Sequence, residues 1–92
     1  MSVNVRIPTQ LRTLTGGAGD VRLDGATVGE LLTALDAAHP GFGERLFDDD
    51  RKLRRFVNVF VADEEVRFLQ GLDTSVSEGQ TVSIVPAVAG GI

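Results

Sequence analysis

One amphipathic helix, flanked on both sides by short strand patterns, limits the folds that this chain can adopt. Thr27-Val28-Gly29-Glu30 has the composition of a capping box, in which the Thr27 hydroxyl and the Glu30 carboxylate bind free amides at a helix start. The apolar positions that follow share one face at helical spacing: Val28, Leu31, Leu32, Leu35 and Ala38. Glu30 and Asp36 are expected to face water, and Pro40-Gly41 ends the helix. The pattern predicts one main helix that covers one face of a sheet.

Strands are predicted before and after this helix from alternation with a period of two. The first strand has Val3, Val5 and Ile7 on its buried side, ends at Pro8, and pairs in a hairpin with a second short strand at 21–23. The strongest strand is 56–61, with a core row of Val57, Val59 and Val61. A short hairpin mate is predicted at 66–68, a last strand at 81–85, and a further helical turn at 43–47 anchored by Leu46 and Phe47.

The order of these elements predicts an α+β fold, a small mixed sheet packed on one main helix. With 92 residues, the chain is long enough for one domain with a real core. We expect that domain to span residues 1–85, with the last strand inserted beside the first. Residues 86–92 form a C-terminal tail that carries no charged side chain and ends in Gly90-Gly91-Ile92.

Composition excludes several functions. A net charge of −4 argues against a nucleic-acid partner, and no apolar run is long enough to span a membrane. The chain has no cysteine, so thiolate metal sites and cysteine nucleophiles are excluded. His39 is the single histidine, and Asp48-Asp49-Asp50 has no ligand pattern, so no metal site, bound cofactor or independent catalytic site is expected. The absence of a leader at the N-terminus favours a cytoplasmic protein.

The second face of the strongest strand points to a binding role. Phe56, Asn58 and Phe60 lie on that face, and an asparagine between two aromatic residues is unusual in a core. We expect Phe60 to be at least partly exposed, as the centre of a partner-binding patch. The arginines that lead into this strand could contact an acidic partner.

The tail, the element order and several inner stretches together resemble the MoaD/ThiS family of ubiquitin-like sulfur carriers, which have the β-grasp fold. The stretches most similar to the CysO type within that family are 7–12, 15–17, 55–61 and 63–68, and the resemblance runs nearly the whole length. It departs from the common pattern at Gln80, at Ala87 and at Ile92, which follows the glycine pair.

The resemblance implies a protein that carries sulfur as a thiocarboxylate on Gly91, next to Gly90. An E1-like enzyme would adenylate the Gly91 carboxylate with ATP, after which sulfur replaces AMP. A CysM-type cysteine synthase would use the thiocarboxylate, and a Mec-type zinc peptidase would release the cysteine formed. Pro86, Ala87, Val88 and Ala89 would bind the partners' channels as a thin apolar thread, with Phe60 as docking anchor and an acidic body suited to basic rims.

Four other functions stay open at this point. They are the small subunit of molybdopterin synthase with a MoaE-like partner, sulfur donation to thiamin or thiosugar synthesis, ubiquitin-like protein modification through the same glycine, and a plain interaction domain with an inert tail. Ile92 occupies the carboxyl group of Gly91 in a peptide bond. We therefore expect a peptidase to cut between Gly91 and Ile92 before activation.

Overall fold

The structure is a computed structural model that describes residues 2–86. Its helices and strands are β1 (Ser2–Arg6), β2 (Asp20–Asp24), α1 (Val28–Ala38), α2 (Phe42–Leu46), β3 (Val57–Val61), β4 (Glu64–Glu65) and β5 (Thr81–Pro86). The sheet order is β2-β1-β5-β3-β4. β5 runs parallel to β1 and antiparallel to β3, and the remaining pairs are antiparallel. This arrangement confirms the predicted mixed sheet with its last strand beside the first.

Strand periodicity places the core between the sheet and α1. Val57, Val59 and Val61 are all buried, as the alternation predicts. In the paired registers Val59 lies opposite Ile84, and Val5 lies opposite Val82, so apolar residues of neighbouring strands share the inner face. That face packs on the buried side of α1, which consists of Val28, Leu31, Leu32 and Leu35.

The predicted capping box forms with one difference. The Thr27 hydroxyl accepts a hydrogen bond from the Glu30 amide at 3.2 Å, but the Glu30 carboxylate accepts from the Ala26 amide, at 2.8 Å. Two predictions for the far end of α1 are wrong. Ala38 is exposed because the helix has already left the core there. Asp36 does not simply face water, because its carboxylate accepts a hydrogen bond from the Gly43 amide at 2.8 Å and so holds α2 against α1.

Three local predictions need correction. The mate of β3 is Glu64–Glu65, because Ala62 and Asp63 adopt φ values of 51° and 71° and reverse the chain in two residues. Residues 66–68 then form a 3₁₀ turn that buries Val66. The second helix begins one residue early and is anchored by Phe42 and Leu46, with Phe47 only half-buried.

Two further segments complete the layer below the sheet. Residues 9–15 form a 3₁₀ helix that the sequence pattern does not indicate, and its Leu11 joins the core. Val76, in the segment that crosses before β5, is buried, and Leu72 packs on the edge of the core. β5 continues to Pro86, one residue beyond its predicted end, and Pro86 lies opposite Val57. No helix within residues 2–86 is long and apolar enough to cross a membrane.

Candidate functional site

The root of the tail lies in the middle of the sheet. β5 has β1 on one side and β3 on the other; its pairing with β1 ends at Ser83, and at Pro86 it is still paired with Val57 of β3. The predicted thread residues Ala87, Val88 and Ala89, and the predicted reaction and processing residues Gly90, Gly91 and Ile92, lie outside the described residues. Their roles stay predictions.

Beside this root, the outer face of the sheet carries the predicted docking patch. Phe60 lies on that face, opposite Ser83 of β5 and Glu65 of β4, and its side chain is half-buried. The predicted partial exposure of Phe60 is therefore correct, while its role in docking stays a prediction. Val85 lies opposite Asn58 and is 45% exposed, so it extends the apolar surface toward Pro86.

Arg67 explains why an asparagine is acceptable between two aromatic residues. Its Nη1 donates to Asn58 Oδ1 at 2.9 Å and lies 3.1 Å from a Glu65 carboxylate oxygen, and its Nη2 donates to the backbone oxygen of Arg54 at 2.7 Å. One guanidinium thus joins β3, β4 and the segment that enters β3. This network braces the outer face next to Phe60.

Besides Val85, three large apolar side chains among residues 2–86 are more exposed than Phe60. Phe68 is 84% exposed, Phe56 is 55% exposed and Leu69 is 41% exposed. Phe56 precedes β3 instead of lying within it, so it stands at the end of the sheet where the tail leaves. The adjacent apolar pair Phe68-Leu69, in a segment without strand alternation, is the sequence signal that could have indicated an exposed apolar site.

Two grooves flank Pro86, and both contain arginine. A groove of about 370 Å³ lies on the β3 side, lined by Gln10, Leu11, Arg45, Arg54, Phe56, Val57 and Pro86. The other lies on the β1 side, between the 3₁₀ helix and β5, and its charged lining residues are Arg6 and Arg12. Neither lining contains an aspartate or a glutamate, although the chain as a whole is acidic.

Two carboxylates near these grooves have altered acidity. The Asn4 side-chain amide donates to Asp20 and, with the nearby guanidinium of Arg6, holds the pKa of Asp20 below its ordinary value. Backbone amides of Lys52 and Asp50 donate to Asp48 and lower the pKa of Asp48 in the same way. Asp48 therefore orders its turn through these two hydrogen bonds.

Among residues 2–86, no group of three His, Cys, Asp or Glu side chains is placed to hold a metal ion. His39 caps the end of α1, where its amide donates to the Leu35 carbonyl oxygen at 2.8 Å. The described part of the chain thus offers the start of the tail at Pro86, an apolar patch around Phe60 and Val85, and a basic surround formed by the arginines of the two grooves.

Comparison with known proteins identifies relatives of this chain by sequence and by structure. A sequence model of the ThiS family matches residues 5–91. The sulfur carrier protein CysO of Mycobacterium tuberculosis is 50% identical over 93 positions, which cover 99% of this chain and 100% of the relative.

Solved structures extend the likeness. A crystal structure of the Amycolatopsis orientalis BexX/CysO complex matches with a TM-score of 0.90 and 50% identity, covering 97% of this chain and 99% of the other. The small archaeal modifier protein SAMP1 of Haloferax volcanii matches with a TM-score of 0.83 and 32% identity, covering 99% and 100%. The likeness confirms the ubiquitin-like β-grasp fold predicted from the sequence. With a family match from residue 5 to residue 91 and a relative half-identical over its full length, this chain belongs to the ThiS family.

Proposed function

We propose that this protein is a sulfur carrier for cysteine biosynthesis, activated at the carboxyl group of Gly91. The observation that carries the proposal is the 50% identity to CysO sulfur carriers along the full chain. The protein is a cosubstrate of other enzymes and not itself a catalyst. Its fold supports this role, because β5 ends at Pro86, paired with Val57 of β3, and leaves four residues between the domain and Gly91.

Activation proceeds in two steps on the partner enzyme. The Gly91 carboxylate attacks the α-phosphorus of ATP and releases pyrophosphate, leaving an acyl adenylate. A sulfur nucleophile then attacks the acyl carbon, and AMP leaves. ATP is bound by the E1-like enzyme, and we propose that the carrier binds no cofactor of its own. Because glycine has no Cβ, Gly90 and Gly91 can take the backbone angles that a narrow active site imposes.

Three partners follow from this function. They are the E1-like adenylating enzyme, a CysM-type cysteine synthase that uses the thiocarboxylate, and a Mec-type zinc peptidase that frees the cysteine. A CysO relative is known in complex with BexX, which supports the expectation of partner enzymes. Phe60 and the apolar thread from Pro86 to Ala89 are the proposed contacts. The predicted cytoplasmic location is tested by fractionation.

Ile92 must be removed before activation, because it occupies the Gly91 carboxyl group in a peptide bond. A Mec-type peptidase cuts a residue from this same carboxyl group when it frees cysteine. We therefore propose that a peptidase of this kind also removes Ile92. The proposal is wrong if the chain accepts sulfur with Ile92 still attached.

Intact mass spectrometry tests the function. The chain ending at Gly91 is incubated with ATP, a sulfur source and the E1-like enzyme of the same organism, and its mass should increase by the exchange of one oxygen for one sulfur. The chain ending at Gly90 is the matched control and should not be loaded. The chain with Ile92 should be loaded only after peptidase treatment. Absence of sulfur on the Gly91-ending chain would contradict the proposal.

Protein modification is the second candidate, favoured by the likeness to a small archaeal modifier protein. A modifier gives a ladder of conjugates on immunoblots that disappears when Gly90 and Gly91 are removed. Lys52 is the single lysine of the chain, so Lys52→Arg should abolish self-conjugates on lysine and leave conjugates to other proteins. A stable complex with a MoaE-like subunit would instead favour molybdopterin synthesis.

A further inference from the structure

The end of the molecule from which the tail leaves has the opposite charge to the rest. The two grooves beside Pro86 collect Arg6, Arg12, Arg45 and Arg54 and no acidic residue. The chain has thirteen acidic and nine basic residues in all, so thirteen acidic residues face only five basic ones elsewhere. The tail end is thus basic on a protein that is acidic overall.

The two grooves differ in how far this charge is compensated. On the β1 side, Arg6 Nε lies 3.6 Å from a carboxylate oxygen of Asp20. Arg12 also contributes to the lowered pKa of Asp20, so this carboxylate offsets part of the charge of both arginines. Arg12 Nε in addition donates to the backbone oxygen of Ile7 at 3.1 Å. The β1-side groove is therefore partly neutralised.

On the β3 side, the two arginines differ, because Arg54 also borders a groove that contains Asp36, Glu44, Asp48 and Asp49, whereas Arg45 does not. The Arg45 side chain makes no hydrogen bond or ion pair with any residue in the range 2–86. Arg54 Nε donates to the backbone oxygen of Glu44 at 3.0 Å, a neutral acceptor that fixes the side chain. Asp48 adds only a weak compensating charge for Arg54.

The remaining walls of the β3-side groove are mostly apolar. Leu11, Phe56, Val57 and Pro86 line this groove together with the two arginines, and Phe56 is more than half exposed. An arginine–carboxylate pair on an open surface contributes little to binding affinity, because water screens the two charges. An apolar wall that excludes water on contact strengthens the pair, and arginine can bind a carboxylate with two parallel hydrogen bonds.

We propose that this groove binds an aspartate or glutamate beside the entrance to the active site of the activating enzyme. This proposal rests on the proposed carrier function. The carboxylate pairs with Arg45, and apolar rim residues cover Phe56 and Leu11. The occupant is assigned by charge complementarity and by position, since the groove begins at Pro86, where the thread enters the enzyme. The expectation that the acidic body meets basic rims is thereby revised for this end of the molecule.

The charge asymmetry also orients the approach. An acidic mouth attracts the arginine end and repels the remaining surface, so encounters with the tail pointing inward are favoured. Arg45 is a binding and orienting residue in this proposal and takes no part in the chemistry. Its removal should raise KM and leave kcat unchanged.

Charge reversal tests the proposal on the chain ending at Gly91, with the E1-like enzyme of the same organism. Arg45→Glu is compared with Arg22→Glu, which makes the same change in net charge on the edge strand β2, two strands away from β5. We expect Arg45→Glu to raise KM for thiocarboxylate formation about tenfold at low salt and Arg22→Glu to change it less than about twofold. High salt should shrink the difference, and Arg45→Lys should restore part of the affinity.

Each outcome decides a different point. Equal KM values for Arg45→Glu and Arg22→Glu, with normal loading of the unsubstituted chain, would overturn this inference and leave the carrier function intact. Failure to load the unsubstituted chain would overturn both. If Arg45→Glu shifts the NMR signals of residues 87–91 in the free protein, the groove holds the chain's own tail, and the partner assignment is wrong. Equal melting temperatures confirm that both variants are folded.

Discussion

The two faces of β3 show how one strand can separate stability from recognition. Its inner side carries Val57, Val59 and Val61, all buried against α1. Its outer side carries Asn58 and Phe60, which are half-buried and lie beside the exposed Val85. A substitution on the inner side should change the free energy of unfolding, whereas one on the outer side should change partner binding. The following predictions test that separation, from the largest expected effect to the smallest.

Leu31→Ala should cause the largest loss of stability. Leu31 is fully buried in α1 against the inner face, and such truncations cost about 2–5 kcal/mol because a cavity remains. Thr33→Ala on the exposed side of the same helix is the control and should cost less than about 0.5 kcal/mol. Urea unfolding measures both. A similar cost for the two variants would show that α1 does not close the core.

Phe60→Ala and Val59→Ala compare the two faces directly. Phe60→Ala should weaken binding to the activating enzyme by about 1–3 kcal/mol, since buried aromatic anchors dominate interfaces. Val59→Ala should destabilise the fold by about 2 kcal/mol and leave the affinity of the folded protein unchanged. Titration calorimetry and urea unfolding give the two quantities. Reduced affinity from Val59→Ala alone would reverse the assignment of the faces.

Arg67→Ala should reduce the free energy of unfolding by about 1 kcal/mol. The substitution removes several hydrogen bonds, but each contributes little because the guanidinium is partly exposed to water. The loss removes the bonds to Asn58 and to the Arg54 backbone, so the entry to β3 should loosen. Faster hydrogen exchange at Val57 would show this. Arg67→Lys should recover only part of the stability, since an ammonium cannot span the same acceptors.

Ala62→Asn should stabilise the protein by about 0.5 kcal/mol. Ala62 has φ of 51° at the first position of a two-residue hairpin turn, a backbone conformation in which asparagine is preferred. Ala62→Val is the opposite control and should destabilise, because a β-branched side chain is strained there. Thermal unfolding distinguishes them, and a gain from valine would contradict the turn geometry.

Low pH should destabilise the fold through carboxylates at its surface, because the buried side chains of residues 2–86 include no titratable group. The lowered pKa values of Asp48 and Asp20 mean that the unfolded chain takes up protons at higher pH than the folded chain does. Their stabilisation is therefore complete above the unfolded pKa of about 4 and is lost as pH falls through the lower folded values. Melting temperature measured against pH should fall in that window, and Asp48→Asn should reduce the slope.

The fold was predictable from the sequence because its signals are local. The period of the valine row in 57–61, the leucine spacing of α1 and the Thr27 cap each act within a few residues. The left-handed turn at Ala62-Asp63 gave no signal, since neither residue is glycine or asparagine. The sequence therefore placed the mate of β3 at 66–68, two residues beyond its actual start at Glu64.

The basic surround of the tail could not be predicted in this way. Arg6 and Arg12 are more than thirty positions away from Arg45 and Arg54, and the two pairs flank Pro86 only because β1 and β3 both lie beside β5. The partial exposure of Phe60 could be predicted because its evidence lies on its own strand. The hydrogen bonds of Arg67 to Asn58 and to the Arg54 backbone could not be predicted, because only the folded chain brings these residues together.

The central position of β5 has a mechanical consequence. An enzyme that grips the thread pulls along the axis of a strand that is hydrogen-bonded on both sides, to β1 and to β3. Such a load acts in shear on both ladders at once, whereas a thread attached to an edge strand would peel away one bond at a time. In the proposed carrier function, the body can therefore act as a fixed handle when a partner enzyme holds the chain beyond Pro86.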